Sequence, residues 1–182
     1  AIERALAQLE QPYLKALFSC AGRGNRPFED SPSCHLWISN RLQEGGLLVE
    51  PQLKIIREFS VLYEVKPGLD FKLIGLTHLL TDLRGRYLGT RILPKWASGL
   101  DAEEARFLFA EAKIETLYQD KVPTALASIL PDSFTGPLAI DAALHRLPSG
   151  KLALKAVMEV NARRSMGRLA WDLHQRCHPS TQ

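Results

Sequence analysis

Residues 136–167 read GPLAIDAALHRLPSGKLALKAVMEVNARRSMG, and two apolar runs in this stretch flank Pro148-Ser149-Gly150. Pro, Ser and Gly are typical turn residues, so the pattern predicts a β-hairpin. Side chains alternate between the two faces of a strand. The alternation places Asp141 on one face of the first arm, and Glu159 and Asn161 together on one face of the second.

The pairing of the two arms determines what this hairpin can bind. A tip with an odd number of residues, such as Ser149-Gly150-Lys151, sets Asp141 directly across from Glu159. Two carboxylates about 4–5 Å apart, at an effective dielectric constant near 20, repel each other by roughly 3–4 kcal/mol. A proton on one carboxylate or a cation between them relieves the repulsion. Asp, Glu and Asn oxygens are hard ligands of the kind that Mg²⁺ accepts, while the alternative is an ordinary hairpin with a solvated polar face.

Length and composition place few limits on function. A chain of 182 residues, with 46% hydrophobic and 24% charged residues, has an ordinary globular composition for one domain or two small subdomains. The net charge of +3 is small, so nucleic acid is not expected as the main partner. The sequence shows neither an apolar run of membrane-spanning length nor a signal-peptide pattern, so no membrane association is expected.

The cysteines indicate a reducing compartment. Cys20, Cys34 and Cys177 are odd in number and widely spaced, so we expect reduced thiols and a cytoplasmic location. The C-terminal motif HQRCH at 174–178 could suggest a metal. It is more typical of a helix end, because a structural zinc site needs four ligands and the one other adjacent pair is Cys34-His35.

The order of predicted elements indicates an α+β protein with mostly antiparallel pairing. Strands are predicted at 13–18, 47–51, 57–65, 71–82, 87–92 and in the two arms of 136–161. Helices are predicted from the N-terminus to about Leu9, from about Ser33 to Glu44, from Asp101 as N-cap to about Tyr118, over 122–130, and from about Ser165 to Cys177. The last helix is predicted to bury Met166, Leu169, Ala170 and Leu173.

A short basic loop follows the first predicted strand. Residues 19–26 read SCAGRGNR, so backbone N–H groups and arginine side chains could wrap phosphate oxygens. Its candidate phosphate contacts are Ser19, Gly22, Arg23 and Gly24. Lys15 lies within the apolar strand, where its ammonium needs a partner or must reach solvent at a strand edge.

The hairpin resembles the metal and phosphate signature of the ATP-grasp superfamily, whose ligases activate carboxylates with ATP. The most specific part is Glu159-Val-Asn161-Ala-Arg163, preceded by Asp141 on the partner strand. The resemblance implies that Asp141, Glu159 and Asn161 hold one or two Mg²⁺ ions, or Mn²⁺, against the phosphates of ATP. It also implies that Arg163 is catalytic and stabilises charge as the γ-phosphoryl group moves.

Further nucleotide contacts follow from the same resemblance. Lys15 and its loop are similar to the strand lysine and the mobile phosphate-covering loop of the family, which makes Lys15 both catalytic and nucleotide-binding. An apolar strand ending in Glu forms the family's hinge, which implies adenine contacts from Glu50 and from the backbone of Gln52 and Leu53. Glu58 would hold the ribose. On residue type alone, Glu50 and Glu58 could instead be exposed charges at strand ends.

The resemblance implies two α+β subdomains with mostly antiparallel sheets and a nucleotide cleft between them. Residues 1–46 would form a small nucleotide-covering subdomain, incomplete at its N-terminus. Residues 47–182 would form a larger one with the hinge, the sheet and the metal-binding hairpin. The implied reaction transfers the γ-phosphoryl group of ATP to a small-molecule carboxylate, and an amine then captures the acyl phosphate. Such catalysis rests on positioning and electrostatics.

Two departures from the family pattern concern the substrate side. Many of these ligases have a basic residue two positions before the strand Asp, where this chain has Ala139. The sequence also begins at Ala1, without Met, inside a helical pattern. We therefore expect a segment of a longer protein, lacking an N-terminal substrate domain and a further nucleotide-binding lysine.

Two other functions fit the sequence. One is a non-catalytic nucleotide-binding module that acts with a partner domain. The other is a basic interaction domain that uses Arg23, Arg26, Arg84 and Arg86. Nucleic-acid binding with a steep salt dependence, unaffected by ATP, would mark the second.

Overall fold

The structure is a computed structural model that describes residues 2–17, 24–82 and 85–177. The chain divides into two compact units. The first comprises residues 1–54 and 82–87, and the second comprises residues 55–81 and 88–182. In the described ranges no helix is long and apolar enough to cross a membrane.

The first unit is a three-stranded antiparallel sheet in the order β2-β1-β3, with the apolar face packed on helix α2. Its elements are α1 (Ile2–Ala7), β1 (Pro12–Ala16), β2 (Asn25–Pro27), α2 (Pro32–Gln43) and β3 (Leu47–Pro51). Leu14 points into the core with Cys34 and Ile38 of α2. Because β3 pairs with β1, it lies in the first unit. The predicted boundary after residue 46 had placed it in the second.

The second unit contains a five-stranded sheet in the order β6-β5-β4-β7-β8. Its strands are β4 (Lys54–Lys66), β5 (Asp70–Thr81), β6 (Tyr87–Arg91), β7 (Gly136–Arg146) and β8 (Leu152–Asn161). Strands β4 and β5 pair in antiparallel fashion, and so do β7 and β8, which form the hairpin predicted over residues 136–161. The core covers one face of the sheet, where Phe59, Tyr63 and Leu138 are almost fully buried.

The segment between β6 and β7 differs from the two helices that we predicted. Asp101 caps as predicted, because its carboxylate accepts from the Glu104 N–H at 2.8 Å while the Glu104 carboxylate accepts from the Asp101 N–H at 3.0 Å. The predicted first helix is then interrupted at Lys113, whose φ of 50° is left-handed. A non-glycine residue seldom adopts this conformation, so the sequence carries no signal for the break.

Short helical turns replace the predicted helices. They are α3 (Ala102–Arg106), a π-helical turn (Phe107–Glu111), α4 (Ile114–Thr116), a second π-helical turn (Leu117–Lys121) and α5 (Val122–Ala127). Leu108, Tyr118 and Leu126 nevertheless all enter the core. The burial of Leu108 thus agrees with the helical apolar spacing, whereas the continuous helix predicted from that spacing is interrupted.

The final helix, α6 (Met166–Cys177), is present as predicted, but its buried face is not the predicted one. Met166, Leu169 and Leu173 are 57%, 40% and 53% exposed. The helix instead contacts the sheet through Gly167 and Trp171, which are one turn apart. The Trp171 indole packs against Gly75 of β5, where a side chain would occupy the same space.

This close approach predicts an unequal response to two glycine substitutions. Gly75→Ala should lower the free energy of unfolding by about 1–3 kcal/mol, because a Cβ atom at residue 75 overlaps the indole. Gly89→Ala, in open space on β6, should be neutral or slightly stabilising. Urea unfolding of both variants measures the difference, and equal effects would contradict the proposed packing.

Candidate functional site

The β7–β8 hairpin places Asp141 directly across from Glu159, and Ala139 across from Asn161. The strands are joined by the five residues 147–151, since Arg146 pairs with Leu152. This tip has five residues where the predicted example had three, so a regular ladder would set Asp141 across from Val157. A register shift between Asp141 and Ala143 gives the pairing with Glu159 instead. The two carboxylates and the amide therefore occupy neighbouring positions on one face of the hairpin.

The strand next to the hairpin adds polar groups to this face. β4 lies beside β7, and alternation places Glu58 and Ser60 on the face away from the apolar core, with Asp141. Both side chains act electrostatically on the Asp141 carboxylate. Glu58 also accepts a hydrogen bond from Thr81 Oγ1 at 2.5 Å. The structure thus places Glu58 near the carboxylate pair. Its predicted role in ribose binding did not indicate this position.

The environment of Asp141 favours its protonated form. Burial raises the pKa of Asp141 to about 6, and the charges of Glu159 and Glu58 act in the same direction. The Ser60 hydroxyl and the Asn161 amide oppose this shift by favouring the ionised form. Ser60 Oγ is buried and makes no hydrogen bond of full geometry within the described residues, so its hydroxyl acts on Asp141 as a nearby dipole. A cation would relieve the same burial and repulsion.

Asn161 connects Asp141 to Arg163. Its Nδ2 donates to Asp141 Oδ2 at 2.9 Å, and its Oδ1 accepts from the Arg163 guanidinium at 2.9 Å. The amide is therefore a donor toward Asp141 in this arrangement. Its oxygen would face a cation beside Asp141 only after the amide exchanged its nitrogen and oxygen positions by rotation.

The potential ligands at this site suit a magnesium ion that also binds water or phosphate. In the described part of the chain, no three His, Cys, Asp or Glu side chains converge closely enough to hold a metal by themselves. Asp141 and Glu159 supply two carboxylates, and Asn161 supplies an amide oxygen after rotation. Mg²⁺ is commonly bound through one or two carboxylates together with waters and substrate phosphates. A structural zinc site would need a fuller set of protein ligands.

In the first unit, Lys15 and Glu50 form an ion pair. Lys15 Nζ lies 2.8 Å from Glu50 Oε2, and the side chains are 15% and 24% exposed. Tyr13 of β1 pairs with Glu50 of β3, so both charged side chains lie on the face opposite the apolar core of this unit. Lys15 therefore has the partner that its position in an apolar strand requires, and two of the predicted nucleotide contacts are adjacent.

The remaining predicted contacts of this unit are partly described. Ser19, Gly22 and Arg23 lie outside the described residues. The Gly24 carbonyl accepts from the Ala16 N–H at 2.9 Å, and the Gln52 N–H donates to the Gln11 carbonyl at 2.7 Å. The Gln52 donor predicted for adenine is thus engaged within the chain. Leu53 lies in the short connection between β3 and β4.

The groups behind the other sequence interpretations are mostly engaged elsewhere. Arg26 lies 3.8 Å from Glu29, and Arg86 lies 2.8 Å from Asp82, which reduces the positive charge available to nucleic acid. Arg23 and Arg84 lie outside the described residues. In the C-terminal motif, His174 and Cys177 belong to α6, and His178 is not described.

Comparisons with known proteins identify the fold. No protein-family model and no curated protein matches the chain. Solved structures do match. The biotin carboxylase–β,γ-ATP complex from Campylobacter jejuni matches at a TM-score of 0.62 and 16% identity, over 93% of this chain and 35% of that one. The chain has the ATP-grasp fold.

Two further ATP-grasp neighbours carry nucleotide. N5-carboxyaminoimidazole synthetase from Staphylococcus aureus, complexed with ADP, matches at a TM-score of 0.56 and 14% identity, over 91% of this chain and 38% of that one. The biotin carboxylase domain of 2-oxoglutarate carboxylase from Hydrogenobacter thermophilus was solved with MgADP, ADP and bicarbonate. It matches at a TM-score of 0.59 and 17% identity, over 90% of this chain and 33% of that one. The chain covers 33–38% of the length of each of these proteins.

The sequence interpretation missed Ser60 and Thr81. Ser60 is two residues after Glu58 on the same strand, so alternation could have placed it beside the candidate site. Thr81 could not be found in this way, because its contact with Glu58 depends on the register between β4 and β5.

The raised pKa of Asp141 predicts a pH-dependent effect of Asp141→Asn. The ordinary pKa of 3.8 applies in the unfolded chain and a value of about 6 in the fold, so this group stabilises the fold most below pH 3.8 and loses that contribution as pH rises through 6. Asn mimics the protonated form. Without metal, the variant should therefore be more stable than the wild type above pH 7, by up to about 3 kcal/mol, and the gap should narrow at pH 5.

Urea unfolding at pH 5 and pH 7.5 measures this gap. Asp132→Asn is the matched control, since Asp132 is an exposed carboxylate before β7 and its removal should have a small effect that is similar at both pH values. A gap for Asp141→Asn that is the same at both pH values would show that Asp141 does not titrate in this range.

Proposed function

We propose that this chain is the nucleotide- and metal-binding core of an ATP-dependent ligase that activates a small carboxylate as an acyl phosphate for attack by an amine. The observation that carries the proposal is the direct pairing of Asp141 with Glu159, next to Asn161, within an ATP-grasp fold. Cys34 and Cys177 are free cysteines, which fits a reducing compartment such as the cytosol.

The second unit would bind the metal. Asp141, Glu159 and the rotated amide of Asn161 would hold Mg²⁺, or Mn²⁺ in its place. An ion held there would supply positive charge that neutralises the phosphates of the nucleotide. Support comes from the burial of Asp141 beside two other carboxylates, an arrangement that a cation stabilises. The 2-oxoglutarate carboxylase domain was solved with MgADP, which supports the use of magnesium together with a nucleotide.

The first unit would contribute to nucleotide binding. Lys15 would donate to phosphate oxygens with the loop 19–24, and its ion pair with Glu50 would orient the ammonium when no nucleotide is present. Glu50, with Gln52 and Leu53, would contact the adenine, where the Gln52 N–H would first have to leave the Gln11 carbonyl. Glu58, in the second unit, would accept from the ribose hydroxyls.

The reaction would proceed by displacement at phosphorus. A carboxylate oxygen of the substrate forms a bond to the γ-phosphorus as the bond to the β,γ-bridging oxygen breaks, which releases ADP. The amine then attacks the acyl carbon, loses a proton, and expels inorganic phosphate. Arg163, held beside the metal ligands by its contact with Asn161, would stabilise the negative charge on the moving phosphoryl group.

Glu159→Gln tests the metal assignment. The substitution removes one charge and preserves size, so it should abolish the Mg²⁺ dependence of ATP binding and weaken Mg-ATP affinity by at least about tenfold. Calorimetric titration with ATP, with and without Mg²⁺, measures both effects. Glu115→Gln on α4 is an exposed, charge-matched control and should bind as the wild type does. Unchanged Mg-ATP affinity in Glu159→Gln would exclude the assignment.

Lys15→Gln tests the phosphate assignment in the first unit. Removing the ammonium should weaken Mg-ATP binding by roughly tenfold to hundredfold, because hydrogen bonds between charged groups are the strong ones. Lys121→Gln removes an exposed lysine and should leave affinity unchanged. The same calorimetric titration applies, with circular dichroism to verify folding. A Lys15→Gln protein that binds Mg-ATP normally would show that Lys15 serves the fold alone.

A non-catalytic nucleotide-binding module is the second candidate, and Ala139 favours it. This residue is buried and apolar at the position where many ATP-grasp ligases have a basic residue. Release of ADP from Mg-ATP in the presence of hydroxylamine and a panel of small carboxylates, bicarbonate included, separates the two functions. Nucleotide binding without any ADP release would favour the module.

A further inference from the structure

The ladder between β7 and β8 changes register just beside the carboxylate pair. From the tip to Ala143, each β7 residue pairs as in a regular hairpin, and Ala143 lies across from Lys155. One step beyond Ala142, however, Asp141 lies across from Glu159. Residues 156–158 thus oppose Ala142 alone, so β8 contains a bulge of two extra residues at this point.

This bulge is what brings the two carboxylates together. Without it, the pairing of Ala143 with Lys155 would continue to Asp141 with Val157, and Glu159 would lie across from Ala139. Glu159 would then be displaced along the strand by two residues, or about 7 Å. A shift of two residues keeps every side chain on the same face of the sheet. The alternating pattern of the β8 sequence is therefore compatible with both the regular and the shifted register.

A bulge leaves backbone groups of its strand without ladder partners, and a buried carbonyl without a partner is unfavourable. Tyr118 supplies a partner here, since its hydroxyl donates to the Ala156 carbonyl at 2.9 Å. Ala156 is the first residue of the bulge. The donor comes from the π-helical turn Leu117–Lys121, which is 38 residues away in sequence.

The Tyr118 side chain is itself held in place. It is 1% exposed, and its ring contacts Phe59 edge-on at 6.1 Å between centroids. The Tyr63 hydroxyl donates to the Tyr118 carbonyl at 2.6 Å, which fixes the backbone of the turn. The Tyr118 hydroxyl therefore approaches β8 from a rigid part of the core.

We propose that Tyr118 is a positioning residue for the metal-binding pair: its hydrogen bond to the Ala156 carbonyl stabilises the bulge, and the bulge sets the register that places Glu159 across from Asp141. The inference rests on the proposed function, because it assigns Tyr118 a role toward that same site. Tyr118 does not contact the metal or the nucleotide in this role and acts only through the backbone of β8.

Tyr118→Phe tests the role, and Val65→Ala is the control. Tyr118→Phe deletes the hydroxyl that donates to the Ala156 carbonyl and keeps the ring, while Val65→Ala truncates a buried core residue near the end of β4, away from Glu58. Both variants should lose stability. Only Tyr118→Phe should weaken Mn-ATP affinity, by roughly tenfold, as expected for one lost hydrogen bond that selects the binding conformation. Calorimetry with Mn-ATP and urea unfolding measure the two quantities.

The register can be observed directly. In the wild type and in Val65→Ala, backbone NOE contacts should join Asp141 to Glu159, and in Tyr118→Phe a share of them should move to Asp141 and Val157. Equal losses of affinity in both variants, or an intact register in Tyr118→Phe, would overturn the inference. If the wild type itself binds no Mn-ATP, the proposed function fails, and the NOE pattern still decides whether Tyr118 sets the register.

Discussion

The electrostatic conflict between Asp141 and Glu159 is the interaction on which the proposed chemistry depends. The carboxylates face each other across a ladder, and one of them is largely buried beside Glu58. Burial and like charge both disfavour ionisation, so a proton or a cation at the site would stabilise it. Mg²⁺ is commonly bound through one or two carboxylates together with phosphates, which is why the proposed function places a cation with bound phosphates at this pair.

The surrounding residues contact this carboxylate pair but do not remove the repulsion between its charges. Asn161 donates to Asp141 and accepts from Arg163, so one amide links a metal ligand to the cation proposed to act on phosphate. Glu58 is oriented by Thr81. In the other unit, Lys15 and Glu50 neutralise each other at 2.8 Å, and a nucleotide would have to compete for the ammonium. These candidate groups are therefore already engaged within their own units.

Much of the fold could be predicted, because strand and hairpin signals are local. Gly85 and Gly150, both with positive φ, mark turns that join strands, and Asp101 is the predicted N-cap, in a capping box with Glu104. The break at Lys113 could not be predicted, since a left-handed conformation is rare for lysine and the local sequence carries no signal for it. The orientation of α6 was also wrong, because its contact depends on an indole fitting over Gly75 and not on the apolar stripe.

The sequence by itself determined which residues share a face of the final hairpin, because side-chain alternation follows from strand geometry alone. It therefore determined that Asp141, Glu159 and Asn161 are the candidate ligands. Only the tertiary structure decided that the carboxylates meet. A register shift of two residues leaves the faces unchanged, and the bulge that produces it is bonded to Tyr118, a residue from a distant part of the chain.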